Sequence, residues 1–259
     1  MPNKRLIVIK VGSNTLTNAS GRLDLNNLRE LSDQLAVLHR KKYNIILVSS
    51  GAIVAGTERL KLNHSIKTMP EKQAAASVGQ SLLINEYNNF LEPYGISLGQ
   101  ILMTSDELRN ENKAKNLKNT FYTLLKLKVI PIVNENDSVA VDEIKVGDND
   151  TLSAHVAILT KAKMLIILTD SEGLHTKNPH KDKKAKLITE VKKVTPEIEK
   201  LASSESSPGG VGGMLTKVKA AKMVNDKGIP LIIAHGRKRG ILNQIVEGKK
   251  VGTYFHPKK

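Results

Sequence analysis

Apolar positions along the chain fall into two alternating kinds of segment. Short runs rich in Val, Ile and Leu occur at 5–11, 44–49, 97–104, 129–134, 164–169 and 230–234. Most are apolar nearly throughout, as strands covered on both faces must be. Between the first two, Leu28, Leu31, Leu35 and Leu38 recur at three- and four-residue spacing, which predicts an amphipathic crossover helix with Asp24 as its N-cap. Helical periodicity continues over about 71–91, 106–127, 150–162 and 214–227, and Gly228 and Pro230 supply a stop after the last. This alternation predicts an α/β fold with a largely parallel sheet. Residues 251–255 read as an edge strand. The stretch 177–200 has eight lysines, four acids and two prolines, and reads as a solvated excursion with a β-hairpin or short helix.

Composition narrows the picture. The 259 residues carry 40 Lys and Arg against 25 Asp and Glu, a formal charge of +15, with 40% hydrophobic content. A chain so composed buries a core and is no disordered tail. The charge invites a nucleic-acid reading, but no Trp, 3 Phe and 5 Tyr leave few aromatic platforms for one. Zero Cys excludes disulfides, thiolate metal sites and a thiol nucleophile. Only four apolar residues, Leu6 to Ile9, precede Lys10, too few for a secretory leader core. No apolar run approaches the roughly 18 residues of a membrane span. A cytoplasmic protein is the expectation, with no membrane partner.

In parallel α/β sheets ligands bind beyond the carboxyl ends of strands. The first strand ends in Lys10-Val11-Gly12-Ser13, where a lysine within an apolar run either meets an anion or snorkels to water. The second runs into Ser49-Ser50-Gly51-Ala52, an anion-receptive nest or an ordinary tight turn. The fourth leads to Asn134-Glu135-Asn136-Asp137 and then Lys145-Val146-Gly147-Asp148-Asn149-Asp150, a dense group of acids and amides. Acids there could cap a helix, yet capping uses one residue and not a cluster. The fifth ends in Thr169-Asp170, which also suits a turn. Finally Gly209-Gly210-Val211-Gly212-Gly213-Met214-Leu215-Thr216-Lys217 brings glycines and a lysine to a helix start, either a phosphate-binding approach or a pliable loop. Neither GxxxxGK[ST] nor GxGxxG after a strand is present. Two glycine-flanked lysines and one acid cluster suit phosphoryl transfer, which consists mostly of positioning and charge neutralisation.

Taken in order, these motifs resemble those of the amino acid kinase family, from Leu6 to Phe255, and most nearly its glutamate-phosphorylating branch. The resemblance implies a three-layer α/β/α sandwich with a mainly parallel central sheet, formed as one domain over 1–259. Glutamate would bind toward the N-terminal half and ATP toward the C-terminal half, with Mg2+ on the ATP phosphates. It further implies transfer of the γ-phosphate to the side-chain carboxylate of L-glutamate, the first step toward proline. Lys10 and Lys217 would neutralise the moving phosphoryl group, with Asp150 orienting both. Ser50, Gly51, Ala52, Asp137, Asp148 and Asn149 would bind glutamate. Lys10, Gly12, Ser13, Thr169, Asp170 and the run Val211, Gly212, Gly213, Met214, Leu215, Thr216 and Lys217 would surround the nucleotide. Gly12 and Gly51 would offer N–H groups to the phosphate.

Two departures from the family pattern stand out: Val211 replaces a usual threonine, and no C-terminal PUA domain, an RNA-binding-type module, is expected. A homodimer or homotetramer, feedback inhibition by proline, and hand-off of the product to glutamyl phosphate reductase are also implied. Sister enzymes acting on N-acetylglutamate, aspartate or UMP are the near alternatives, and a basic nucleic-acid-binding protein the remote one.

Overall fold

The computed structural model describes residues 5–61, 66, 68–139, 149–179, 181–204 and 213–258. In chain order the elements are β1 (Leu6–Val11), α1 (Ser13–Leu16), α2 (Leu25–Arg40), β2 (Asn44–Ser49), α3 (Ala52–Arg59), α4 (Met69–Leu91), β3 (Leu98–Met103), α5 (Ser105–Arg109), α6 (Glu111–Lys126) and β4 (Ile130–Glu135). They continue with α7 (Asn149–Leu159), β5 (Met164–Thr169), β6 (Glu190–Val191), α8 (Pro196–Ser204), α9 (Met214–Asn225), β7 (Leu231–His235), α10 (Ile241–Val246) and β8 (Thr253–Phe255).

The six apolar runs are the strands, each shifted by no more than one residue at an end. They lie in one eight-stranded sheet of order β3-β4-β2-β1-β5-β7-β8-β6. Pairings are parallel except for β8 against β7. β8 is shorter than the 251–255 segment read from the sequence, and it lies between β7 and β6 rather than at the edge. Strand periodicity divides the core. Ile7, Ile9 and Val11 of β1 face α2, α4 and α10, whereas Leu6 and Val8 face α6, α7 and α9. The result is the α/β/α sandwich.

Helix ends follow side-chain chemistry. The Asp24 carboxylate accepts the Asn27 N–H at 3.1 Å, and Leu28, Leu31, Leu35 and Leu38 are buried. Thr68 and Glu71 form a reciprocal capping box on α4. The single helix predicted over 106–127 is two, because Asn110 adopts an extended conformation (φ −90°, ψ 117°) and its side chain accepts the Lys113 N–H at 3.0 Å. Periodicity does not reveal this break, since asparagine is tolerated within a helix and becomes a cap only where the backbone leaves the helical region. In the charged stretch, Leu187 bridges back to His175 just before it, and the short strand β6 and the start of helix α8 follow, in keeping with its reading as a hairpin or short helix.

Two backbone contacts set the spacing of α3 and α4. A Cβ added to Gly79 of α4 would run into the carbonyl of Ala52, and one on Gly56 of α3 into that of Ala75. The two helices thus touch backbone to backbone. Gly79→Ala should force them apart and destabilise the protein by about 1–3 kcal/mol, read as a lower midpoint in urea. An unchanged midpoint would show that the pair separates without cost.

Candidate active site

β1 is central, and the chain leaves it toward β2 and β4 on one side before crossing to β5 and β7 on the other. The carboxyl ends at such a reversal form a crevice. Lys10 stands there on the face it shares with Leu6 and Val8, in front of α7 and α9. Lys217 belongs to the buried stripe of α9 that includes Ala220, Ala221 and Val224. Two ammonium groups in so apolar a layer require a counter-charge. Asp150, in the first turn of α7, supplies it. Its Oδ1 lies 2.7 Å from Lys10 Nζ and its Oδ2 3.0 Å from Lys217 Nζ.

The Thr216 hydroxyl donates to Oδ2 at 2.9 Å, and the Ser153 hydroxyl donates to the Asp150 carbonyl at 2.6 Å. Asp150 is wholly buried and both lysines are 5% exposed. The helix-capping alternative for this acid therefore gives way, because its carboxylate is committed to the two lysines. The cluster carries a net charge of +1 and faces the crevice.

Asn149, the preceding residue, turns toward β2 and β4. Its Nδ2 lies 3.0 Å from the Ser49 carbonyl, 3.1 Å from Ser50 Oγ and 3.0 Å from Asn134 Oδ1. Gly51 has φ +104°, a left-handed conformation suited to glycine, and Ala52 begins α3 behind it. Asp137 lies in the turn after β4, where Asn136 N–H donates to the Met103 carbonyl at 3.0 Å and Ser138 meets Ser77 at 2.9 Å. Burial raises the Asp137 carboxyl from 3.8 to about 6.

Beyond β5, Asp170 accepts from Asn14 Nδ2 at 2.9 Å and from the Thr169 hydroxyl at 3.0 Å. Burial pushes its pKa up, but these bonds and the Lys217 charge outweigh it, leaving the carboxyl below its ordinary range. Ser13 begins α1 and Gly213 caps α9, followed by Met214 and Leu215. The Gly12 N–H donates to the Leu168 carbonyl at 3.1 Å. A Cβ at Gly12 would make ordinary contact with Lys10 Nζ, at 3.5 Å. Asp148, Val211 and Gly212 lie outside the described residues.

Sequence reasoning missed three participants. Asn14 holds Asp170. Arg237, after β7, reaches the carbonyls of Asn14 and Thr17 and lies 3.3 Å from Asp24. Gln80 of α4 bonds Asn134 and the Glu135 carbonyl, each at 3.2 Å. Each acts through partners distant in sequence, and its neighbours in the chain give no sign of them.

The model of the amino acid kinase family matches residues 5–235. The chain belongs to the amino acid kinase family. Similar proteins include the glutamate 5-kinase of Clostridium tetani, 50% identical over 96% of this chain and 94% of that one. The glutamate 5-kinase of Clostridium acetobutylicum is 46% identical over 100% and 97%. That of Thermoanaerobacter sp. is 46% identical over 98% of this chain but 68% of its own length, so these relatives differ in length beyond the shared region. Among solved structures, a carbamate kinase from Giardia lamblia bound to AMP-PNP superposes with TM-score 0.71 at 17% identity over the full length of both chains. A UMP kinase from Bacillus anthracis gives 0.65 at 13%, over 98% of this chain and 97% of that one. These two likenesses show that the kinase shares their fold.

The raised Asp137 carboxyl has a measurable consequence for this kinase. A folded-state pKa above the unfolded value means that Asp137 favours folding most below pH 3.8, and that this contribution is lost as pH rises through about 6. Asp137→Asn cannot ionise. It should raise stability at pH 7.5 by roughly 1–3 kcal/mol, with the gain shrinking between pH 6 and 4. Urea unfolding across that range checks it, and a gain independent of pH would contradict the assignment.

Proposed function

We infer that the chain transfers the γ-phosphate of ATP to the side-chain carboxylate of L-glutamate, giving L-glutamyl 5-phosphate and ADP. The observation that carries this reading is the buried Lys10–Asp150–Lys217 cluster at the end of the central strand. Curated relatives named glutamate 5-kinase, 44–50% identical over nearly the whole chain, give the acceptor.

Sheet order suggests how the substrates divide the site. Ser50, Asp137 and Asn149 gather on the β2 and β4 side of β1 and suit glutamate, with an acid for its ammonium and an amide beside it. Thr169, Asp170 and the start of α9 gather on the β5 side and suit the nucleotide. The moving phosphoryl group then passes over β1. A glutamate carboxylate oxygen attacks the γ-phosphorus, the bond from phosphorus to the β–γ bridging oxygen breaks, and that oxygen leaves with ADP. The nucleophile is already ionised at neutral pH, so no base is required.

Lys10 and Lys217 neutralise charge spread over the transferring group. Asp150 keeps the two ammonium groups in place before ATP arrives. Magnesium would neutralise phosphate charge as a companion of ATP. Both Asp150 oxygens are engaged by ammonium groups, and no cluster of three or more metal-binding side chains occurs among the described residues. This suits an ion held mainly by nucleotide and water. The product is a reactive mixed anhydride, which fits prompt hand-off to glutamyl phosphate reductase. Self-assembly as a dimer or tetramer and inhibition by proline are proposals that rest on the family resemblance.

A coupled assay of ADP release with glutamate, N-acetylglutamate, aspartate and UMP tests the acceptor. Turnover should appear with glutamate, and a preference for another acceptor would replace this reading. Lys10→Ala and Lys217→Ala should each lower kcat by about 100-fold or more, the scale of losing one charge-stabilising group, while the melting profile stays cooperative. Near-normal turnover in either would remove that lysine from the proposed role.

A further inference from the structure

Gln80 sits inside α4, 8% exposed, next to the glycine that lets α4 touch α3. Both ends of its amide are used. Nε2 donates to the carbonyl of Glu135, and Oε1 accepts from Asn134 Nδ2, each at 3.2 Å. A backbone carbonyl can only accept, so this bond determines which way the Gln80 amide points. Asn134 then turns Oδ1 the other way, where it accepts the Glu135 N–H at 2.9 Å and Asn149 Nδ2 at 3.0 Å. Asn149 in turn directs its nitrogen at Asn134, Ser50 and the Ser49 carbonyl, which leaves its oxygen as the acceptor at the other end of the amide.

We propose that Gln80 is a positioning residue for the phosphate acceptor. Through Asn134 it holds the Asn149 carbonyl oxygen toward the α-ammonium of glutamate, and so sets the preference for an α-amino dicarboxylate over a bare one. This rests on the glutamate reading above. Asn134 is 4% exposed, so losing Gln80 leaves its Nδ2 without the acceptor it now has. The void bordered by Gln80, Leu83, Ile84, Gln100, Ile132 and Asn134 is only about 10 Å³, room for no more than one water to substitute. The effect should fall on the acceptor side, because the chain of amides never reaches Lys10, Lys217 or β5.

The test uses Gln80→Met, which matches the length without the amide, and Gln80→Glu, which when ionised keeps an acceptor and loses the donor. For each, ADP release gives the KM for glutamate and for ATP. Competitive inhibition by glutarate, the same dicarboxylate without the ammonium, gives a Ki. In Gln80→Met we expect the glutamate KM to rise about tenfold, the scale of one buried hydrogen-bond partner lost, with the ATP KM and glutarate Ki within about twofold of the parent. Gln80→Glu should show the same split at pH 8 and approach the parent, compared at equal pH, as protonation restores its donor.

Equal rises for glutamate and glutarate, or a rise for ATP as well, would reduce Gln80 to general packing and overturn the proposal. An unchanged glutamate KM would overturn it too. If Gln80→Met fails to fold, the pH-dependent recovery of Gln80→Glu decides. A parent that releases no ADP with glutamate overturns both readings, whereas an active parent with unaltered variants overturns this one alone.

Discussion

The site depends on one buried carboxylate that has to serve two buried ammonium groups. Lys10 and Lys217 come from a strand and a helix whose other inward positions are aliphatic, and neither could stay charged there unpaired. Asp150 places one oxygen against each. The cost of burying three charges is offset by direct ion pairs and by the Thr216 hydroxyl. What results is positive charge already ordered at the end of the central strand, which under the proposed phosphoryl transfer leaves little reorganisation for the moment of reaction. β1, α7 and α9 are thus tied together by three buried charged groups, and the packing of those helices on the sheet also sets the alignment of the cluster.

The first turn of α7 connects this cluster to the ends of β2 and β4. Asn149 and Asp150 are consecutive, yet one points toward β2 and β4 and the other toward β1 and α9. Adjacent helical positions diverge by about 100° around the axis, which lets a single helix start address both halves of the crevice. Behind Asn149, the order continues through Asn134 to Gln80, whose helix is held against α3 by backbone contact at Gly79 and Gly56. The chain of amides therefore reaches back into a helix pair of which only the first residue, Ala52, belongs to a recognised motif.

Much of the fold was legible because strands buried on both faces have to be apolar throughout. Leu28, Leu31, Leu35 and Leu38 marked a helix face for the same reason. The break at Asn110 was not legible, since its side chain caps only after the backbone has left the helix. Lys10 could be singled out as a charge inside an apolar run. Asp150 could not be separated from an ordinary helix-start acid by its position alone, and the family motif, not periodicity, pointed to its role. Nor was it legible that parallel pairing of β1 with β5 brings the Leu168 carbonyl to the Gly12 N–H.

Residue types and their spacing determined which segments would be strands, which helix faces would be buried, and that two lysines and an acid cluster were available for an anion. These follow from local periodicity and from the high cost of burying charge. The tertiary structure decided which groups meet. The order β4-β2-β1-β5-β7 puts Ser50 and Asp137 on one side of Lys10 and Thr169 and Asp170 on the other. Packing of α9 beside α7 brings Lys217 to Asp150 across 67 residues of chain. Gln80 meets Asn134 across 54. Contacts of such separation depend on sheet order and on the closeness of helix backbones, and no local pattern contains either.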